Sequence, residues 1–187
     1  MCPPFFRCIL VCGVDMMVTS KLILDICEGD LETVNEICRM AGLHDDIFDD
    51  SLKDSYIHVL TYVDKTPVAT GRLFVTEDRF TIGRVAVLPQ FRGNAIGDLT
   101  VRQLIRAAHD RGGKQQFVHA LLSAQGFYEK LGFTVVKCER SELPQGGLCP
   151  TERNVIKDLN LKCKFCEKHH TPYVTMVHDG DVNRKCK

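Results

Sequence analysis

Residues 82–97 set two small residues, Gly93 and Ala95, between an apolar run and the start of a helical pattern. Gly93 lets the backbone come close to a bulky anion, and Ala95 is too small to obstruct one. The turn opens directly into a helix near residues 94–97. The first N–H groups of a helix lack partners within it, and with the helix dipole they form an anion site suited to a pyrophosphate. Arg92 adds a fixed positive charge beside that site. Alone, the pattern fits a phosphate cradle or an ordinary strand–turn–helix corner.

A second constellation lies near the C-terminus. Cys163 and Cys166 form a Cys-x-x-Cys half-site, with His169 and His170 close behind. Structural zinc takes four such ligands in a tetrahedron. Cys163, Cys166 and His169 are the candidate ligands, and Cys138, Cys149, His178 or Cys186 would complete the set. No second Cys-x-x-Cys is present, so reduced or redox-labile thiols are the competing reading.

The elements that must position these residues belong to one ordinary domain. The chain has 187 residues, 44% hydrophobic and 26% charged, a soluble globular mix. Lys plus Arg and Asp plus Glu both number 24. No global basic field exists to draw in nucleic acid or an anionic membrane, so neither is expected as a partner. The apolar run at 8–14 is too short to span a bilayer and follows only one basic residue. Residues 1–17 are therefore expected to be a disordered extension, residues 18–177 the domain and 178–187 a polar tail. A cytoplasmic protein, monomer or homodimer, is the expectation.

Within the domain, residues 21–27 read as a strand, and Asp30 as the N-cap of a helix that Gly42 stops. The acidic stretch 44–54 reads as loop. Runs at 56–63, 68–76 and 80–88 form an antiparallel meander with turns at 64–65 and 77–79, and Pro89 ends its last strand. Gly97, Thr100, Val101, Leu104, Ile105 and Ala108 make one helical stripe, closed by Gly112 and Gly113. A strand at 116–122, a short helix at 123–131 and a strand at 133–137 read as a crossover unit whose two strands can be parallel neighbours. Residues 138–162 look like a loop-rich insertion, and 173–177 like the last strand.

The run Arg84-Val-Ala-Val-Leu-Pro-Gln-Phe-Arg-Gly-Asn-Ala-Ile-Gly97 resembles the acetyl-CoA signature of the GNAT superfamily of N-acetyltransferases, with core pattern Gln/Arg-x-x-Gly-x-Gly/Ala. Gln90, Gly93 and Ala95 fill its three places. Downstream, Ala124-Gln-Gly-Phe-Tyr-Glu-Lys-Leu-Gly-Phe133 resembles the family's Ala-x-x-Phe-Tyr-x-Lys-x-Gly-Phe segment. The resemblance covers about residues 20–136 and 171–177. It implies an α/β fold, a twisted mixed sheet flanked by helices, with acetyl-CoA as cosubstrate. Pantetheine would pair with the strand at Val85, Ala86 and Val87. The pyrophosphate would lie on Arg92, Gly93, Asn94, Ala95, Ile96 and Gly97. A small-molecule or peptide amine would attack the thioester directly in a ternary complex. Tyr128 would protonate the departing thiolate, and a backbone N–H near Val87 would stabilise the oxyanion.

Two departures matter. Leu121 stands where many relatives carry Asn or Gln, which leaves local polar work to Tyr128 and Ser123. No clear general base emerges; His119, on the strand entering the site, is the candidate, with a structural role as its alternative. Tyr173 stands where a His is frequent in the family's last strand. Two other functions fit the same residues: a non-catalytic acyl-CoA sensor, or an interaction protein stabilised by zinc in its last third.

Overall fold

The computed structural model describes residues 5–11, 14–43, 56–76, 79–136 and 173–179. The chain divides into two compact units, residues 1–113 and 114–187. Among the described residues no helix is long and apolar enough to cross a membrane.

The first unit begins with strand β1 (Phe5–Val11), paired antiparallel to β2 (Val14–Ile23) from Phe5↔Ser20 to Val11↔Val14. This corrects the expectation of an extension over 1–17. The apolar run has a β-rich neighbour two residues away, and pairing satisfies the backbone groups of both. β2 also begins before residue 21 and ends at Ile23 rather than 27, because the chain then turns into helix α1 (Glu28–Met40).

Asp30 does not cap that helix. Cys27 occupies the N-cap without a side-chain bond, and Asp30 instead holds Lys21 Nζ at 2.9 Å. A cation on the adjacent strand competes successfully for the carboxylate. Asp30 still lies in the first turn, where the dipole favours an acid. Gly42 (φ 84°) ends the helix as expected.

β3 (Tyr56–Val63) and β4 (Thr66–Val75) form a hairpin. Asp64 and Lys65 between them both take positive φ, the turn that matches strand twist. β5 (Phe80–Val87) pairs antiparallel to β4 with one irregularity. Gly83 faces Arg72 and Ala86 faces Thr70, so Arg84 and Val85 together oppose the single residue Gly71. This is a β-bulge, with Arg84 in left-handed conformation (φ 49°). Ile82 opposite Leu73 and Val87 opposite Ala69 thereby share a face, which an unbroken strand would deny them.

Helix α2 (Ile96–His109) buries Thr100, Val101, Leu104, Ile105 and Ala108 of the expected stripe. It lies on the sheet at Gly71, where an added Cβ would meet Leu104 Cδ1 at 2.8 Å and Thr100 Cγ2 at 3.3 Å. Thr100 Oγ1 bonds the Ile96 carbonyl and Thr61 Oγ1, each at 2.9 Å. Helix and strand are thus joined by a buried hydroxyl pair as well as by apolar contact.

The second unit holds β6 (Gln116–Leu121), a 3-10 turn (Leu122–Ala124), α3 (Gln125–Lys130), β7 (Thr134–Val135) and β8 (Tyr173–His178). β6 and β7 are not neighbours, contrary to the sequence expectation. β8 lies between them and pairs antiparallel with both. β7 needs little length because β8 offers each partner a separate edge.

His178, expected in the polar tail and among the zinc ligands, is instead the last residue of β8 and 4% exposed. Its Nδ1 is 3.3 Å from Gln116 Oε1, and its ring centroid is 5.1 Å from that of Phe133. The insertion at 138–162 and the acidic stretch 44–54 lie outside the described residues.

Replacing Gly71 by Ala is expected to destabilise the fold by about 1–3 kcal/mol, because Leu104 is fully buried and must shift. Urea denaturation would measure this. An unchanged midpoint would show that the helix seat is loose.

Candidate active site

The loop between β5 and α2 is built from short local bonds. Pro89–Phe91 forms a 3-10 turn. The Phe91 N–H donates to the Leu88 carbonyl at 2.9 Å and the Arg92 N–H to the Pro89 carbonyl at 3.2 Å. Gly93 (φ 80°) and Ala95 (φ 57°) are then both left-handed. A Cβ on Gly93 would meet nothing within 4 Å, so the backbone angle, not crowding, calls for glycine there. Ala95 is the N-cap of α2 and makes no side-chain cap bond. A carboxyl- or hydroxyl-bearing cap would occupy the N–H groups that an anion needs.

The first helical bond runs from the Leu99 N–H to the Ala95 carbonyl at 3.0 Å. Geometry leaves the N–H groups of Ile96, Gly97 and Asp98 without partners in the helix. Gln90, Arg92, Gly93 and Ala95 are exposed, Asn94 and Gly97 half-buried, and Ile96 buried. Ile96 thus offers only its backbone, its side chain belonging to the core cluster. Asp98 is the one carboxylate in the first turn of α2. Arg102 neutralises it, with Nε–Oδ1 at 2.6 Å and Nη2–Oδ2 at 3.3 Å.

Arg92 also has a structural role. Its Nε donates to the Val87 carbonyl and its Nη2 to the Ala41 carbonyl, both at 3.0 Å. The guanidinium therefore braces the loop against the end of α1, and two of its donors are turned to backbone. Asn94 Nδ2 lies 3.4 Å from the Phe91 and Arg92 carbonyls and reinforces the same turn. Val85, Ala86 and Val87 form the end of β5, with Ala86 buried and the valines half-buried.

In the second unit Tyr128 is 6% exposed on α3. Its ring meets Phe127 at 5.0 Å and Phe133 at 5.4 Å, both edge-on. Burial pushes the phenol pKa up from its ordinary value. Phe133 continues the ring chain to His178 and so to the Gln116 face of β6. His119 projects from the opposite face of β6, with Nδ1 3.5 Å from the Thr175 hydroxyl. The structure does not group His119 with Tyr128. Ser123 is exposed in the 3-10 turn after β6, two residues beyond half-buried Leu121.

Sequence reasoning missed a group on the sheet face turned away from α2. Thr61 meets α2 through Thr100, so alternation puts Tyr56 and His58 on the other face. Arg72 is the Cα partner of His58. Its guanidinium lies 4.4 Å over the Tyr56 ring. His58 is buried, and desolvation, with the charges of Arg72 and Arg84, lowers its imidazole pKa to about 4. Only the register of β3 on β4 and the bulge in β5 assemble this group; linear spacing shows no sign of it.

Among the described residues no cluster of three or more His, Cys, Asp or Glu is placed to hold a metal. Cys163, Cys166 and His169 lie outside the described residues.

With this geometry in view, likeness to known proteins is informative. The family model of the acetyltransferase (GNAT) domain matches residues 54–135. A presumptive acetyltransferase of Bacillus subtilis (strain 168) is 31% identical over 114 residues, spanning 57% of this chain and 78% of that protein. The crystal structure of Escherichia coli ElaA has a TM-score of 0.61 at 20% identity, covering 87% of this chain and 99% of its own. Mycobacterium tuberculosis Rv2747, solved in complex with CoA, has a TM-score of 0.59 at 16% identity, covering 85% and 98%. The chain belongs to the GNAT superfamily of acetyltransferases and has its mixed α/β fold.

The lowered His58 pKa sets a direction for stability against pH. Between the ordinary value of 6.5 and about 4, the unfolded chain binds a proton that the native state refuses. The stabilisation is complete above 6.5 and is lost as pH falls through about 4. Its full size is on the order of 3 kcal/mol. Urea midpoints from pH 7 to 4 should fall for the wild type, and more gently for His58→Gln. Equal slopes would remove His58 from the account.

Proposed function

We propose that the protein is an N-acetyltransferase that moves the acetyl group of acetyl-CoA to a primary amine in the cytoplasm, by direct attack in a ternary complex. The observation that carries this reading is the exposed left-handed loop at Gly93 and Ala95, opening into the uncapped start of α2. Backbone N–H groups of Gly93 to Gly97 would hold the pyrophosphate, and Gln90 would flank them. The Asp98–Arg102 pair removes the charge that would oppose an anion there. The backbone of Val85, Ala86 and Val87 would line the pantetheine arm.

The amine nitrogen attacks the thioester carbon, the carbonyl oxygen gains negative charge, and the C–S bond then breaks. A Val87 N–H near that oxygen would stabilise the charge. Tyr128 serves the leaving sulfur. Its raised pKa keeps the phenol protonated at neutral pH. A thiol titrates near about 8.5, so complete transfer from so weak an acid is uphill. Tyr128 is therefore assigned as a hydrogen-bond donor to the departing thiolate, the proton then coming from solvent. His119, with its opposite-face position in the second unit, is given no part in this scheme, and a water chain would deprotonate the amine.

Calorimetry with acetyl-CoA tests the reading, together with thiol release across a panel of amines. Binding is expected for the wild type. Gly93→Val should weaken it tenfold or more, since a β-branched residue resists positive φ. Tyr128→Phe should lower kcat on the order of 100-fold with little change in acetyl-CoA affinity. A well-folded wild type that gives no heat with acetyl-CoA would refute the proposal, and binding without turnover of any amine would favour the sensor reading.

A further inference from the structure

Arg92 sits beside the glycine of the proposed pyrophosphate loop, yet its bonds lead back toward β5. Nε donates to the Val87 carbonyl, five residues earlier, and Nη2 to the Ala41 carbonyl, each at 3.0 Å. Val87 is the last residue of β5. Its carbonyl belongs to the Val87–Leu88 peptide, and the N–H of that same peptide donates to the Val68 carbonyl at 2.9 Å. A peptide is planar. With both polar ends held, its plane turns only by breaking a bond. Apolar contact seats it as well: Leu88 is 6% exposed, and Phe91 packs against the core cluster.

The second bond fixes the guanidinium itself. Ala41 is the C-cap of α1. The last carbonyls of a helix lack partners within it, and its dipole favours a cation there. No carboxylate pairs with Arg92 among the described residues, so its charge is not neutralised. The planar fork directs separate donors at two carbonyls, which the point charge of a lysine does not. At the strand end, the Val87 carbonyl oxygen carries partial negative charge. Bare, it would oppose negative charge growing on a nearby thioester oxygen; bonded to a guanidinium, it opposes that charge less.

We propose that Arg92 is a positioning residue for acetyl transfer. It holds the end of β5 in the conformation that presents the Val87 N–H to the thioester oxygen, and it offsets the negative end of the Val87 carbonyl. Its action is at the thioester end of the cosubstrate, not at the pyrophosphate. The role rests on the acetyl-transfer reading for the task of the Val87 N–H, and on the two bonds for the grip itself.

Two thioesters separate the ends: acetyl-CoA carries a pyrophosphate, and S-acetyl-N-acetylcysteamine carries none. In Arg92→Lys and Arg92→Gln, kcat at saturating acetyl-CoA should fall about tenfold or more, the effect of losing a charge-assisted hydrogen bond. KM for acetyl-CoA should change little, and so should its dependence on ionic strength. The kcat/KM for S-acetyl-N-acetylcysteamine should fall by the same factor as kcat. Lysine should not rescue, because it restores charge without the fork. A raised KM for acetyl-CoA with kcat intact, or rescue by lysine, would overturn the role and make Arg92 a phosphate ligand. Rates equal to wild type with both thioesters would overturn it too. Where the wild type accepts only acetyl-CoA, the division of the loss between kcat and KM decides. Should neither variant fold, the Arg92 Nε–H resonance of the wild type decides. Protection from solvent exchange that persists when inorganic pyrophosphate is added supports the role, and loss of that protection overturns it. A wild type that turns over neither thioester refutes the acetyl-transfer reading, and the role of Arg92 with it.

Discussion

Leu104 pressing on Gly71 is the contact from which the first unit takes its working geometry. The absent Cβ lets α2 approach β4 closely, and Val85 of the bulge fills the space beside it. The helix axis follows from that approach, and its axis decides where its first N–H groups point. The Thr61–Thr100 hydroxyl pair fixes rotation about that axis, which apolar contact alone leaves soft. Depth and rotation of one helix therefore place the amides proposed to meet an anion.

The bulge beside Gly71 also sets the facing of the rest of β5. One extra residue in β5 changes which parity of side chains faces the helix. Ile82 and Val87 thereby lie on one face of the sheet. The cost is an arginine, Arg84, in left-handed conformation.

How much of this was legible in the sequence follows the range of each interaction. Local signals were readable: Gly42 ends its helix and Asp64–Lys65 make their turn, with positive φ at each as well as at Gly93. The α2 stripe was readable because one helix face meets one sheet. Asp30 was misread because a partner nine residues away, Lys21, competes with the helix for its carboxylate. Phe5–Val11 was misread because a strand is recognised by its partner as much as by its own residues. His178 looked like tail until Gln116 and Phe133 gave it neighbours. Among the candidate site residues, the loop at 90–97 was visible as a motif, whereas the Arg72–His58–Arg84 group was not. Its members come from three strands, and only cross-strand register puts them together.

Arg92 gives the loop a property beyond charge. By gripping the carbonyls of Val87 and Ala41 at once, it ties the final residue of β5 to the residue just past α1. The loop thus has its shape before any ligand arrives. Preorganisation of this kind spares the entropy of ordering a flexible segment, leaving mainly the removal of water as the cost of association. It also makes the end of α1 a mechanical neighbour of the loop, so that a small tilt of that helix would be transmitted through one guanidinium to the start of α2.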